Sequence, residues 1–446
     1  MTVRVTFVLP SDASTGGVRV VYEYADRLTA RGHEVTVVVP QVPPYPFRLL
    51  REQGPLTVAG KALDASSSET DWGTDATVLR IPVLRRPFLD RVPEGDVVVA
   101  TSWRSAPAVP RLPASAGRPF HLVQHYEAWK LWDDERCWRR AERLADRRNL
   151  PTSAAMAAVD PGLRLRGYKR RVDDALSLPT RKLVVTEWLG TALDRVFDQG
   201  STRIPNGIDH GTFYPDLGPE DSADTLRVLA PYRTAAWKGT ADAVGAFRRV
   251  RRERDDVRFG MFGPSGGESD LPPWVEFHGR VPDSRLRRLY SEADVFVFPS
   301  WAEGFGLPPL EAMACGTAVV STDVGIVRES AAGGIVRVPS RDPAALGEAL
   351  AGLLDDPERR AAVASAGRGV VDRFRWRDSV SALETALANG DSAARKGRDS
   401  AVDTGDRDSA AGPGRDSATD PDRDGAVESA ADAGRGGPTD GSGDTR

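Results

Sequence analysis

Glu303 and Glu311 stand eight positions apart in the stretch EGFGLPPLEAMACG, with two glycines and two adjacent prolines between them. Proline suits the first turn of a helix, where a missing N–H costs nothing. Pro308 and Pro309 therefore mark a loop running into a short helix that Gly316 closes. The unpaired amides and dipole at such a helix start attract anions, and Gly304 and Gly306 let the backbone come close to a ligand. Glu311, expected in the first helical turn, carries a carboxylate able to accept two hydrogen bonds from a vicinal diol, as acidic residues do on nucleotide riboses. Taken alone, the simpler reading is better: Glu311 complements the dipole and Glu303 is solvated. Upstream, YRTAAWKG places Arg233 and Lys238 five apart, after a strand and at the start of a helix. Two cations so placed suit a diphosphate, although either by itself reads as a surface cation.

The apolar pattern supplies the frame that such residues need. VRVTFVL (3–9) is followed by the polar loop PSDASTGG and then by apolar letters at helical spacing, Val18, Val21, Tyr22, Ala25 and Leu28, before VTVVVP. Strand, Gly loop, helix, strand is a βαβ unit, and its strands are too apolar for a wet face, so the sheet is parallel and covered. Similar runs recur at 96–100, 120–124 and 182–186. A second series starts at LRVLAPYR (226–233) and continues at 257–263, 275–281, 294–300, 317–322 and 333–339. The expectation is an α/β protein with two Rossmann-like, doubly wound domains facing a cleft: 1–210, then 211–373, with a helix at about 374–389 returning to the first domain. Ligands of such sheets bind outside the carboxyl ends of the strands. From 390 to 446 the chain repeats GRDSA-like units with almost no large apolar residue and reads as a disordered, low-complexity tail.

Composition excludes several classes. The 446 residues are 40% hydrophobic and 28% charged, with a formal net charge of −4, which argues against a nucleic-acid-coating protein. Two cysteines, Cys137 and Cys315, make no disulfide scaffold and fit a reducing compartment. No apolar run of about 18 residues occurs, and the first residues are too short in apolar core for a secretory signal, so a cytoplasmic protein is expected. The segment 133–149 sets Cys137, Trp138, Ala141, Leu144 and Ala145 on one face and arginines on the others. A solvated face on a core-packed helix is the simpler reading. The other is peripheral contact with anionic lipid on the inner face of the membrane, or with a lipid-linked glycan.

The order of these motifs resembles the retaining nucleotide-sugar glycosyltransferases of family 4, with the GT-B fold. The resemblance covers roughly 1–390. It rests on GGVRVVYEYADRLTARGHEVTVV, VVTEWLGTAL, IPNGIDHGTFYP, RTAAWKG and the block from GRVPDSRLRRLYSEADVFVFPS through EGFGLPPLEAMACGTAVVSTDVG, which holds the E-(x)7-E signature as Glu303 and Glu311. It implies that the first domain binds the acceptor and the second a nucleoside diphosphate sugar. Gly16 and Gly17 match the loop near the donor phosphate or acceptor, and Arg233 and Lys238 the diphosphate clamp. Glu311 matches the ribose ligand, and Glu303 the residue near the moving sugar. The N–H groups of Phe305, Gly306 and Leu307 would face sugar and phosphate. His125 matches the active-site histidine, although a lone histidine is more often structural.

The implied enzyme is a hexosyl- or deoxyhexosyltransferase of polysaccharide or glycoconjugate synthesis, acting with retention on a glycan, lipid-linked or small-molecule acceptor. No cofactor and no metal are expected, because no Asp-x-Asp motif stands where a metal would be needed. Tyr232, Ala318 and the single glycine of Val324–Glu329 depart from the family pattern. Two other classes stay open: a GT-B-shaped epimerase or sugar phosphorylase, and a non-catalytic sugar-nucleotide-binding subunit. The intact Arg233, Lys238, Glu303 and Glu311 favour a transferase.

Overall fold

Apolar runs become interior strands here, and the two that were not anticipated are edges. In the computed structural model, which describes residues 2–11, 15–42, 73–216, 225–264, 268–330 and 333–389, thirteen strands form two sheets. The expected tail lies outside the described residues, as do 43–72. The first sheet comprises β1 (Arg4–Val8), β2 (Glu34–Pro40), β3 (Thr77–Ile81), β4 (Val97–Ala100), β5 (Arg118–Val123), β6 (Arg181–Val184) and β7 (Ser201–Arg203). Their spatial order is β3-β2-β1-β4-β5-β6-β7. The second comprises β8 (Leu226–Pro231), β9 (Val257–Phe262), β10 (Val275–Phe277), β11 (Val295–Phe298), β12 (Ala318–Thr322) and β13 (Val336–Val338), in the order β10-β9-β8-β11-β12-β13. Neighbouring strands pair in parallel, as for β1 with β2 and β4, and β8 with β9 and β11. β3 is largely half-exposed and β7 wholly exposed, because an edge strand has a neighbour on one side only; neither carries the continuous apolar run of a central strand.

In each sheet the order reverses beside its first strand, between β1 and β4 and between β8 and β11. A doubly wound sheet opens a crevice at that reversal, at the carboxyl ends. The loops after β1, β4 and β5 in one sheet and after β8 and β11 in the other therefore face the crevice. One hydrophobic cluster runs through both halves, from Val5 and Phe7 to Phe296, Phe305 and Leu310. A second cluster, around Phe247, Phe259 and Leu350, covers the outer face of the second sheet.

The chain passes between the halves at Asn206-Gly207. A Cβ on Gly207 would lie 2.3 Å from the Trp376 nitrogen, so only glycine admits the crossing of the two strands of chain there. Trp376 opens the last helix, Trp376–Ala388, which lies on the first helix, Gly16–Ala30. Its ring meets Tyr24 edge-on at 5.1 Å; Glu384 pairs with Arg31 at 2.6 Å and His33 at 2.9 Å; the Leu387 carbonyl accepts from Arg118 at 2.6 Å.

Candidate active site

A cavity of about 920 Å³ lies between the carboxyl edges of the two sheets. That is the size range of pockets that hold small ligands. Gly16, Gly17 and His125 line it from the first half. Arg233, Lys238, Glu303, Phe305, Gly306, Leu307 and Glu311 line it from the second. These ten candidate catalytic and donor-binding residues thus line one cavity, but several sit differently from expectation.

Lys238 and Glu303 are partners. The ammonium donates to Glu303 Oε1 at 2.7 Å and lies 4.1 Å from the Trp237 ring centroid. Burial lowers the Lys238 pKa, and the Glu303 carboxylate opposes that shift. Lys238 does not open the helix. It ends a short turn, Ala236–Lys238, and Gly239 at φ +70 leads into the helix Thr240–Glu253. A Cβ on Gly239 would sit 2.1 Å from the Pro299 carbonyl, so glycine lets the β8 and β11 loops pack together. Arg233 follows β8, its guanidinium donating to the Tyr232 carbonyl at 2.7 Å, and burial lowers its pKa.

The loop Glu303–Gly306 is fastened to the first half. Thr186 Oγ1 donates to the Gly304 carbonyl and Trp188 Nε1 to the Glu303 carbonyl, both at 2.9 Å. A Cβ on Gly304 would fall 1.7 Å from the Gln124 carbonyl oxygen. Gly306, at φ +93, caps the helix Leu307–Ala314, whose prolines occupy its first positions. The Phe305 ring is buried, 6.2 Å from Phe374, and its carbonyl accepts from the Ile326 amide at 2.7 Å.

Glu311 corrects its sequence-based placement. It is the fifth residue of the helix, not a first-turn residue, because the helix already starts at Leu307. It is buried, accepts from the Tyr290 hydroxyl at 3.2 Å, and burial pushes its pKa up to about 7. Arg19 and Arg233 oppose that rise and Asp283 adds to it.

His125 sits at the carboxyl end of β5 among Trp132, Trp188 and Trp237, with ring centroids 5.5–5.8 Å away. Its Nδ1 donates to the Tyr126 carbonyl at 2.9 Å, which assigns the tautomer. Burial and the Lys238 charge lower its pKa to about 4, so it is a neutral imidazole near pH 7. Gly16 and Gly17 open the first helix, with Thr15 as N-cap, and a Cβ on Gly16 would meet nothing within 4 Å.

Three residues that the motifs did not reveal also belong to the cavity wall. Arg19 reaches across to Asp283, Tyr290 holds Glu311, and Glu127 accepts from Ser102 Oγ at 2.6 Å and the Trp103 amide at 3.0 Å through one carboxylate oxygen. The one signal available was Arg19, a charge interrupting an apolar helix face. Glu329, in contrast, points to the first half, pairing with Arg203 at 2.5 Å and accepting from the Glu187 amide at 2.6 Å. Helix Glu135–Arg148 buries Cys137, Trp138, Ala141 and Ala145 and exposes Arg136, Arg139, Arg140, Arg143 and Arg147. Its Glu135 and Glu142 bind Arg341 of the second half. Among the described residues no group of three or more His, Cys, Asp or Glu could hold a metal ion, and no helix is long and apolar enough to cross a membrane.

This wall of cations, carboxylates and a helix start lies within a stretch that has known relatives. Residues 226–356 match the family described as glycosyl transferases group 1. Longer matches to whole-protein relatives also occur. O-antigen chain mannosyltransferase B of Escherichia coli is 30% identical over 241 residues, 48% of this chain and 62% of that protein. D-inositol 3-phosphate glycosyltransferase 2 of Catenulispora acidiphila is 40% identical over 269 residues, 52% of this chain and 61% of that protein. The chain thus spans less than two thirds of the length of these curated relatives. Among solved structures, sucrose-phosphate synthase of Thermosynechococcus elongatus superimposes with a TM-score of 0.64 at 19% identity, covering 87% of this chain and 99% of that one. The Anabaena protein HepE, whose structure holds UDP and glucose, has a TM-score of 0.60 at 15% identity, with 86% and 99% covered. The fold is GT-B.

Proposed function

We propose that this protein is a glycosyltransferase that moves a sugar from a nucleoside diphosphate sugar to a glycan, lipid-linked or small-molecule acceptor, with retention of configuration as in family 4. The observation that carries this reading is the convergence of Arg233, the Lys238–Glu303 pair, Glu311 and the Leu307 helix start on one wall of the cavity between the sheets. The second half binds the donor. Glu311 takes the ribose diol, Arg233 and Lys238 take the diphosphate, and Glu303 lies beside the moving sugar. The first half holds the acceptor against Gly16, Gly17 and His125.

The named relatives support the class. The UDP and glucose in HepE support a nucleotide sugar as donor. In the reaction the bond between the anomeric carbon and the diphosphate oxygen breaks and the acceptor oxygen bonds to that carbon on the same face. The acceptor proton passes to the departing diphosphate oxygen. The diphosphate gains negative charge, which a guanidinium, an ammonium and a helix end stabilise without reorganising. His125, neutral among tryptophans, positions and does not exchange charge. The chemistry needs no metal or cofactor in this reading.

The test is a thermal-shift screen against UDP, GDP, ADP and dTDP and their sugars. A bound nucleotide raises the melting temperature by mass action. Lys238→Ala and Glu311→Ala should each abolish the shift; a full shift in both variants refutes the site. The anomeric configuration of the product, read by NMR, checks retention. The exposed arginines of helix Glu135–Arg148 support a separable part of the reading, peripheral contact with anionic lipid. Flotation with anionic vesicles should lose the protein when Arg139, Arg140 and Arg143 become Glu; unchanged flotation, or none in the parent, removes that part.

A further inference from the structure

Arg19 sits in the first helix, in the half that carries Gly16 and Gly17, yet it is bound by the other half. Its guanidinium donates two hydrogen bonds to the Asp283 carboxylate, at 3.1 and 2.7 Å. Asp283 opens the helix Asp283–Glu292, and Tyr290 of that same helix donates to Glu311. Arg19 and Glu311 together line a narrow recess, with Phe213 beneath the guanidinium at 5.8 Å, and both also line the main cavity. The charges around Glu311 come from several elements. Arg19 comes from the first helix, Asp283 and Tyr290 from helix Asp283–Glu292, and Arg233 from the loop after β8. Glu23, one turn beyond Arg19, faces that arginine at 3.7 Å. The Cys315 thiol, at the end of the helix that carries Glu311, is kept protonated by burial.

We propose that Arg19 is a cross-cleft positioning residue for the donor: held by Asp283, it brings a cation from the first half to the diol-binding carboxylate of the second. The nucleotide end of the site is then complete only while the two halves touch. The inference rests on the reading of Glu311 as the ribose ligand. The physical reason is that an ionised carboxylate accepts hydrogen bonds from both hydroxyls of a diol, whereas the protonated acid must spend one oxygen as a donor. Burial and Asp283 both favour the protonated acid, and Asp283 belongs to the same half as Glu311. Arg19 is the largest charge opposing them, and it belongs to the half that does not carry Glu311. Separating the halves would leave Glu311 with Arg233 and the Tyr290 hydroxyl against burial and Asp283, without its strongest opposing charge, so a bound diol favours contact between the halves.

The experiment measures UDP and GDP affinity by calorimetry from about pH 6 to about pH 9 in the parent, Arg19→Met, Asp283→Asn and Glu311→Gln. Glu311→Gln carries the titration of the diphosphate itself, so the ratio to it isolates Glu311. With the carboxyl titrating at about 7, parent affinity should fall about tenfold between pH 8 and pH 6. In Arg19→Met the midpoint should rise by roughly one pH unit, with affinity recovering toward pH 9; in Asp283→Asn it should fall. A merely structural arginine would weaken binding by the same factor at every pH. That result, or an unmoved midpoint in both variants, overturns the proposal. If neither nucleotide binds the parent, the donor reading fails. Ligand-free melting of the parent against Glu311→Gln still reports where Glu311 titrates, and a midpoint that does not move in Arg19→Met overturns the inference independently.

Discussion

Lys238 and Glu303 neutralise each other before any ligand arrives. The pair is largely buried, with 22% and 12% of the side chains exposed, so neither charge is well hydrated. An entering diphosphate must share the ammonium with Glu303, and a sugar hydroxyl must share the carboxylate with Lys238. Removing the cation alone strands a carboxylate that burial penalises. Lys238→Met should lower the free energy of unfolding by about 3 kcal/mol, and Lys238→Met with Glu303→Gln should recover most of it. Urea unfolding without nucleotide measures both. Equal losses in the single and double variants would mean that the carboxylate left without Lys238 carries no penalty.

The Glu303–Gly306 loop and the first helix show how different two glycine positions are. Gly304 has the Gln124 carbonyl where a Cβ would be, and its own carbonyl is held by Thr186. Gly304→Ala must push the loop off the first half, carrying Glu303 with it. It should cost about 2 kcal/mol or more and shrink the nucleotide-induced shift in melting temperature. Gly16 has open space at the same atom, so Gly16→Ala should stay within about 0.5 kcal/mol of the parent and alter only ligand binding. Melting curves of the two variants, with and without nucleotide, separate the cases. A Gly304→Ala curve that superimposes on the parent would mean the contact is not tight. The element that positions Glu303 is therefore anchored to the half that does not carry it.

Across the whole molecule, folding buries groups that prefer water, in the first sheet at His121 and beside the second half at His125. His121 in β5 has its pKa lowered to about 3 by burial and then by Lys182; His125 has its pKa lowered to about 4 by burial and then by Lys238. Both are about 6.5 when unfolded. Between about pH 6.5 and 4 the unfolded chain binds more protons at these two sites, so stability rises with pH there and is lost on acidification. Glu311 acts in the opposite sense from its ordinary value of 4.5 up to about 7, where the folded protein holds the extra proton. Burial raises the pKa of Glu127, Asp173, Asp242 and Glu329 in the same sense as Glu311, so the contribution of the histidines is read from the difference between parent and His121→Asn. Melting temperature followed from pH 6.5 to 4 should fall more steeply in the parent than in His121→Asn. A variant profile as steep as the parent's would show that His121 is not held neutral.

Period and punctuation in the sequence were enough for the two parallel sheets. β1, β2, β8 and β11 are apolar on both faces, and a covered parallel strand requires that. The placement of Arg233, Lys238, His125 and Glu303 at carboxyl ends followed from chain order alone, since each comes just after an apolar run. β3 and β7 were not legible because edge strands lack the run. The position of Glu311 was misjudged by one turn because Pro308 and Pro309 fit a helix that starts at either Leu307 or later. The pairing of Lys238 with Glu303, the grip of Thr186 and Trp188 on the glycine loop, and the reach of Arg19 to Asp283 were set by tertiary structure. Those partners are 65 to 264 residues apart in the chain. Local sequence governs hydrogen bonds within a helix or the face a strand presents; which charges meet across a cleft depends on how two separately folded halves pack, and no local pattern encodes that.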